Sequence, residues 1–165
     1  SYETWRKECL HKLLELWEQS LRKMARFCLS KEAGTRDKGK WNLPAGWVDV
    51  GVNPVEMVKK EVKEETGLDF EPTGLIGIYS SLRADLKEKH GITPHPISLD
   101  FRGKIVGGKL IDHNDEIDEV RWFTPDEIMP MDKNTLRDEN IKISVQDYFA
   151  GRNFPLDIIR HTVQK

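Results

Sequence analysis

The segment from residue 46 to residue 70, GWVDVGVNPVEMVKKEVKEETGLDF, constrains the fold of this chain more than any other stretch. Asn53 is a favoured N-cap residue, and Pro54 suits the first position of a helix. Gly67 is a natural C-terminal stop, because glycine adopts the left-handed conformation at a helix end without strain. The segment therefore predicts a helix from about Pro54 to Thr66.

The side chains of this helix divide into faces at about 100° per residue. One stripe, which we expect to face the core, consists of Val55, Val58 and Val62. The far side, which we expect to face solvent, carries Lys59, Lys60 and Lys63. Glu56 falls among these lysines, where helix capping and a pair with Lys60, four residues on, explain it.

The third face carries Glu61, Glu64 and Glu65, because residues three and four apart are neighbours on a helix. Carboxylates this close repel one another, and we expect no lysine of the helix among them. The repulsion costs stability unless a pKa rises or a cation binds, and oxygen ligands suit Mg²⁺ or Mn²⁺. Spacing alone leaves a second interpretation open, namely a solvated acidic face without a metal.

Helices and strands alternate along the rest of the chain. Strands are predicted at residues 25–30, 74–80, 97–102 and 119–123. A capping box at 124–127 predicts a short helix, and a last helix spans roughly 138–150. Residues 2–24 carry apolar side chains at helical spacing, which predicts an N-terminal amphipathic helix that buries its stripe against the core or in a homodimer. Without repeats or a linker, residues 1–165 are expected to form a single α/β domain.

Composition narrows the class of protein. The 165 residues are 38% hydrophobic and 33% charged with a net charge of −2, as expected of a globular domain. This balance argues against nucleic-acid binding through bulk charge. No apolar run approaches the roughly 20 residues that cross a bilayer. The only cysteines, Cys9 and Cys28, imply no disulfide framework and favour a reducing, cytoplasmic compartment.

The segment from Gly46 to Leu68 resembles the Nudix box, G-x5-E-x7-R-E-U-x-E-E-x-G-U, in which U is an aliphatic residue. The residues that match in register are Gly46, Glu61, Val62, Glu64, Glu65, Gly67 and Leu68. The lead-in KWNLPAGW and the segment DEIDEVRWFTPDEI at 115–128 are also similar to this family, so the resemblance covers about residues 38–130. It implies a Nudix-like α/β/α sandwich with a mixed sheet, here preceded by the N-terminal helix.

The resemblance also implies divalent-cation-dependent hydrolysis of a nucleoside diphosphate linked to another moiety X. The substrate would be a small-molecule nucleotide of the ADP-ribose or nucleoside-diphosphate-sugar type, or a modified nucleotide. The catalytic and metal-holding carboxylates would be Glu61, Glu64 and Glu65, with Glu64 and Glu65 as direct ligands of Mg²⁺ or Mn²⁺ and Glu61 as a further ligand or the general base. A further acid outside the box often joins the metal, and Glu119 is the first candidate and Glu116 the second. The substrate and its phosphates would contact Ala45, Gly46, Trp47 and Arg83, although core packing is the alternative for Trp47.

Two positions depart from the box. Val52 stands where the first Glu is expected, and Lys60 stands where Arg is expected. In the family these two residues tend to form an ion pair beneath the loop, so loss of the acid makes a simpler Lys coherent. The departure motivates an alternative, a catalytically lapsed Nudix-fold nucleotide-binding or regulatory module. A third hypothesis is a structural domain that dimerises through residues 2–24. Retention of all three box carboxylates favours the active hydrolase.

Overall fold

The computed structural model describes residues 26–34 and 37–164, and the predicted N-terminal helix at 2–24 lies outside them. The strands are β1 (Phe27–Glu32), β2 (Trp41–Asn42), β3 (Leu68–Ser80), β4 (Ile97–Gly108) and β5 (Ile117–Phe123). The helices are α1 (Pro54–Thr66), α2 (Lys87–His90), α3 (Pro125–Ile128) and α4 (Asn140–Phe149), with 3-10 turns at Ala84–Leu86 and Leu156–Ile158. None of the helices in the described part of the chain has the length and apolar character needed to cross a bilayer.

The strands form two sheets. In the first, β1 lies between β2 and β5 and pairs antiparallel with both. A parallel bridge between Trp41 and Leu136 extends this sheet beyond β2 and gives it mixed character. In the second sheet β3 pairs antiparallel with β4. Leu75 of β3 also exchanges two backbone hydrogen bonds, each 2.8 Å long, with Phe154 near the end of the chain.

Helices cover both faces of β1, because successive side chains of a strand point to opposite sides. Leu29 is fully buried in a core cluster with Ile141 and Val145 of α4. Other members of that cluster are Trp41, Phe123, Ile128 and Leu136. On the opposite face, Ser30 donates a hydrogen bond to Glu65 of α1. The α/β class and the α/β/α layering are thus confirmed.

The predicted helix boundaries are confirmed by their caps. Asn53 accepts a 2.9 Å hydrogen bond through Oδ1 from the backbone N–H of Val55, and Pro54 follows as the first helical residue. Gly67 adopts a φ of 79°, in the left-handed region, just after the last residue of α1. At α3, Thr124 and Glu127 form the reciprocal capping box that the sequence predicts.

Two local expectations need correction. β3 begins at residue 68 rather than 74, and β4 continues to residue 108 rather than 102. Backbone hydrogen bonds between β3 and β4 extend the pairing into segments whose side chains do not alternate in polarity, so the sequence pattern did not mark them as strand. In α1, Met57 and Val62 are buried, whereas the other two valines of the predicted stripe are only half-buried.

Candidate active site

Glu61 lies directly against the backbone at Gly46. A Cβ atom on residue 46 would overlap the Glu61 carboxyl group, so this close approach requires glycine. The pKa of Glu61 is raised, chiefly because the side chain is partly buried. The negative charges of Glu64, Glu116 and Asp49 raise it further, and the positive charge of Lys60 opposes them. Four carboxylates, from the box loop, α1 and the turn before β5, are therefore electrostatically coupled.

Asn114 fixes the turn that carries Glu116. Its side-chain Nδ2 donates a 3.0 Å hydrogen bond to the backbone carbonyl of Glu64, near the C-terminal end of α1. Its Oδ1 accepts hydrogen bonds from the backbone N–H groups of Glu116, at 2.9 Å, and Ile117, at 2.8 Å. The turn before β5 is thereby tied to α1, which explains why Glu116 lies close enough to Glu61 to affect its pKa.

Glu119, the first candidate for the additional ligand, is paired elsewhere. Its Oε2 lies 2.6 Å from Nζ of Lys31, directly opposite it on β1. Lys31 alternates with Ser30, so this pair lies on the sheet face away from Glu65. The structure brings Glu116 to Glu61 and places Glu119 in a cross-strand ion pair.

Glu65 is turned into the protein. Its side chain is buried and accepts a 2.9 Å hydrogen bond from Ser30 Oγ and another from the backbone N–H of Ala45. Burial raises its pKa to about 7, with smaller contributions from the charges of Glu32 and Glu61. Glu65 is therefore more enclosed than Glu61 and Glu64, because β1 packs over that side of α1, and its role in holding a metal stays a prediction.

Lysines pair differently from the prediction. Lys60 Nζ lies 3.1 Å from Asp49 Oδ2 and 4.0 Å from Glu64 Oε1, so a lysine does adjoin the acidic face. Glu56 lies 3.6 Å from Lys59 rather than beside Lys60. Asp49, in the box loop, draws the Lys60 side chain away from Glu56.

Of the predicted substrate contacts, Ala45, Gly46 and Trp47 are consecutive in the chain, and Arg83 lies apart from them in sequence, just before the 3-10 turn Ala84–Leu86. The Trp47 side chain is 83% exposed, so core packing is excluded for it in this structure. Ala45 is exposed and uses its backbone N–H on Glu65. Arg83 is mostly buried, and its guanidinium donates hydrogen bonds of 3.0 and 2.9 Å to the two carboxylate oxygens of Asp85. Its Nη1 also lies 4.0 Å from Asp138.

The sequence did not predict a network of charged side chains beside the box, formed by Arg137, Glu32 and Asp37. Arg137 Nη1 lies 3.0 Å from Glu32, and its Nε lies 3.2 Å from Asp37. Asp37 is buried, and its Oδ1 has no hydrogen-bond partner within the described residues. The network adjoins the box, since the charge of Glu32 raises the pKa of Glu65. No local pattern signals it, because its members come from distant parts of the chain.

A divalent cation needs several oxygen donors around one position. Across residues 26–34 and 37–164, no three His, Cys, Asp or Glu side chains are preassembled around a common metal position. Glu61, Glu64 and Glu116 nevertheless supply only oxygen donors, which hard divalent cations prefer. A cation would relieve the mutual repulsion that raises the pKa of Glu61. The donor set fits such an ion in chemistry, but these side chains are not arranged around one position, so Glu61, Glu64 and Glu116 would have to move together to hold it.

Comparisons with known proteins agree on one family. The NUDIX domain model matches residues 21–143. The ADP-ribose pyrophosphatase of Methanocaldococcus jannaschii is 32% identical over 125 residues, which cover 76% of this chain and 66% of that protein. The chain spans only 24% to 30% of the length of the first curated relatives that it matches.

Solved structures give the same result. A NUDIX hydrolase from Nitrosomonas europaea superposes with a TM-score of 0.69 at 30% identity, covering 83% of this chain and 88% of that chain. An ADP-ribose pyrophosphatase from Streptococcus suis superposes with a TM-score of 0.52 at 27% identity, covering 75% of this chain and 80% of that chain.

Proposed function

This chain belongs to the NUDIX domain family, and we propose that it is a divalent-cation-dependent pyrophosphohydrolase acting on a nucleoside diphosphate linked to another moiety. The observation that carries the proposal is the position of the Glu61 carboxyl, which lies against the backbone of Gly46 and within reach of the negative charges of Glu64 and Glu116. Lys60 offsets part of the repulsion among these carboxylates, and a bound divalent cation would relieve the rest.

The chemistry of a diphosphate explains the arrangement. The phosphorus is shielded by anionic oxygens, so water cannot approach until that charge is neutralised. A bound Mg²⁺ or Mn²⁺ would neutralise the charge and lower the pKa of the attacking water. Because residue 46 has no side chain, the loop backbone lies directly against the Glu61 carboxyl. Glu61 would serve either as a ligand of that ion or as the acceptor of the proton from the attacking water.

ADP-ribose is the first substrate to test. Similarity to the ADP-ribose pyrophosphatases of M. jannaschii and S. suis supports this choice. Trp47 offers an exposed indole face on which a nucleobase can stack. Nucleoside-diphosphate sugars and modified nucleotides undergo the same reaction and are the next candidates. We further propose a cytoplasmic location, as the low cysteine content suggests.

The test is a panel of ADP-ribose, a nucleoside-diphosphate sugar and an oxidised nucleoside triphosphate, each with Mg²⁺ or Mn²⁺. Mass spectrometry should find AMP and ribose 5-phosphate as the products from ADP-ribose. Glu61→Gln should lower turnover about 100-fold or more. Glu56→Gln removes a carboxylate from the same helix, on its Lys59-paired side, and should change turnover by less than about twofold. Equal turnover rates for wild type and Glu61→Gln would refute the catalytic role of Glu61.

Val52 supports a second candidate, the lapsed nucleotide-binding module, because an acid is expected at that position of the box. Such a module would bind ADP-ribose in calorimetry yet release no product with either metal. Hydrolysis that Glu61→Gln abolishes would exclude it.

A further inference from the structure

The loop ahead of α1 contains a tight turn. The backbone N–H of Val52 donates a 3.0 Å hydrogen bond to the carbonyl of Asp49, which closes a four-residue turn. Gly51 adopts a φ of 82°, and positive φ at the third position is the requirement of a type II turn. The first and last Cα atoms of a β-turn lie within about 7 Å of each other. A carboxylate at position 49 can therefore reach a partner that an acid at position 52 would contact.

Lys60 is directed to that turn. Its Nζ lies 3.1 Å from Oδ2 of Asp49 and farther, at 4.0 Å, from Oε1 of Glu64. Lys60 is the residue at the Arg position of the box, and Val52 provides it with no charged partner. Asp49, at the other end of the turn, is within hydrogen-bond distance instead.

We infer that Asp49 replaces the missing acid of the box: its ion pair with Lys60 pins the 49–52 turn to α1 and so positions the loop beside Glu61. This inference rests on the proposed function only for its effect on catalysis. The Asp49–Lys60 ion pair itself is a feature of the protein without ligands. Asp49 acts here as a positioning residue, because its carboxylate is occupied by the Lys60 ammonium. The turn that it anchors follows directly from Gly46, the residue that contacts the Glu61 carboxyl.

The position of Asp49 also explains how the chain keeps a functional loop despite two departures from the box. A lysine presents a point charge on a flexible stem and needs no planar partner, unlike arginine. An acid at position 49, at the other end of the β-turn from position 52, can therefore still pair with Lys60. On this inference Val52 and Lys60 are two parts of one rearrangement, which weakens the support that Val52 gives to the lapsed module.

The test compares five variants with wild type: Asp49→Asn, Lys60→Gln, Val52→Glu, Asp49→Asn/Val52→Glu and Asp69→Asn. Asp69→Asn is the matched control, because it breaks another exposed pair of the same helix, Lys63–Asp69 at 2.8 Å. The first readout is hydrogen exchange at the Val52 amide without metal. The second is the Mg²⁺ concentration for half-maximal hydrolysis of ADP-ribose.

Asp49→Asn and Lys60→Gln should each speed exchange at the Val52 amide and raise the half-maximal Mg²⁺ concentration about three- to tenfold. Adding Val52→Glu to Asp49→Asn should return both quantities to within about twofold of wild type, since it restores an acid for Lys60. Asp69→Asn should change neither. An Asp49→Asn protein that matches wild type in exchange, or a double variant that stays as impaired as Asp49→Asn, would overturn the inference. A wild-type protein without hydrolysis would instead refute the proposed function. The exchange experiment would still show whether the Asp49–Lys60 pair holds the 49–52 turn.

Discussion

Ser30 of β1 donates a 2.9 Å hydrogen bond to the buried carboxylate of Glu65 in α1. The same carboxylate accepts a hydrogen bond from the backbone N–H of Ala45, in the lead-in to the box loop. Three separate elements therefore meet at one acid. Glu65 contributes to how the loop and the helix are held on the sheet, and its protonation state affects the stability of that junction.

The first prediction concerns pH. The pKa of Glu65 is raised from 4.5 to about 7, so the folded protein binds this proton more tightly than the unfolded chain does. The resulting stabilisation is complete below about pH 4.5 and is lost as pH rises through about 7. Glu65→Gln cannot ionise and should lack this dependence. Relative to that variant, metal-free wild type should lose on the order of 2–3 kcal/mol of unfolding free energy between about pH 5 and about pH 8.

Urea denaturation at several pH values measures this difference. Parallel pH profiles for the two proteins would show that Glu65 ionises as an ordinary carboxylate and would contradict the buried arrangement.

The second prediction concerns Gly46. Gly46→Ala places a methyl group where the Glu61 carboxyl now lies, so that carboxyl must move. We expect turnover to fall about tenfold or more, because small displacements of reacting groups are costly. Gly34→Ala is the control, since its added Cβ meets no atom within 4 Å. Steady-state kinetics on both variants test the prediction, and equal rates would mean that the close approach has no catalytic importance.

The third prediction separates the two candidates for the additional ligand. Glu116→Gln should lower turnover and raise the half-maximal Mg²⁺ concentration, each by about tenfold. Glu119→Gln breaks only the partly exposed pair with Lys31, which is worth about 1 kcal/mol or less, and should leave the Mg²⁺ dependence unchanged. Mg²⁺ titrations of activity decide between them. If Glu119→Gln were the more impaired enzyme, the assignment would return to Glu119.

The fourth prediction concerns Asn114, which holds the Glu116 turn against α1. Asn114→Ala should raise the half-maximal Mg²⁺ concentration about three- to tenfold, because Glu116 is no longer positioned. Asn114→Asp retains the acceptor oxygen but loses the donor to Glu64, and we expect an intermediate effect. Asn134→Ala removes a comparable exposed turn asparagine, bonded to Asp132, and serves as the control. An Asn114→Ala enzyme with the Mg²⁺ dependence of wild type would show that the turn does not need this anchor.

The fifth prediction concerns metal binding without catalysis. A ligand that binds only the native state stabilises it, so millimolar Mg²⁺ should raise the melting temperature by about 2–5 °C. Glu64→Gln should reduce that rise. Glu71→Gln, which removes an exposed carboxylate paired with Lys59, should retain it. A melting temperature that stays constant across Mg²⁺ and Mn²⁺ titrations, with no heat of binding in calorimetry, would argue against a metal site.

The boundaries of α1 could be predicted because their determinants are local. Asn53 and Gly67 act within one turn of the helix ends, so sequence spacing is sufficient. The burial of Glu65 could not be predicted in this way. Helical periodicity gives the angle of a side chain about the helix axis, but Ser30 covers that side from 35 positions earlier in the chain.

The choice between Glu116 and Glu119 shows the same limit. Glu116 directly precedes β5 and Glu119 is the third residue of that strand, and composition does not distinguish the two acids. The register of β5 on β1, which places Glu119 opposite Lys31, decides which acid is free to approach α1. The Asp49–Lys60 pair escaped prediction for a related reason, because it depends on a turn that folds the loop back towards the helix.

The hydrogen bonds between Leu75 and Phe154 bear on where this domain can be cut. The family match ends at residue 143, inside α4. A shortened protein that ended there would lose Val145 from the core and would strip the outer edge of β3 of its backbone partner. Expression designs that keep the chain through at least Phe154 preserve both contacts. The segment needed for a stable fold therefore extends beyond residue 143, where the family match ends.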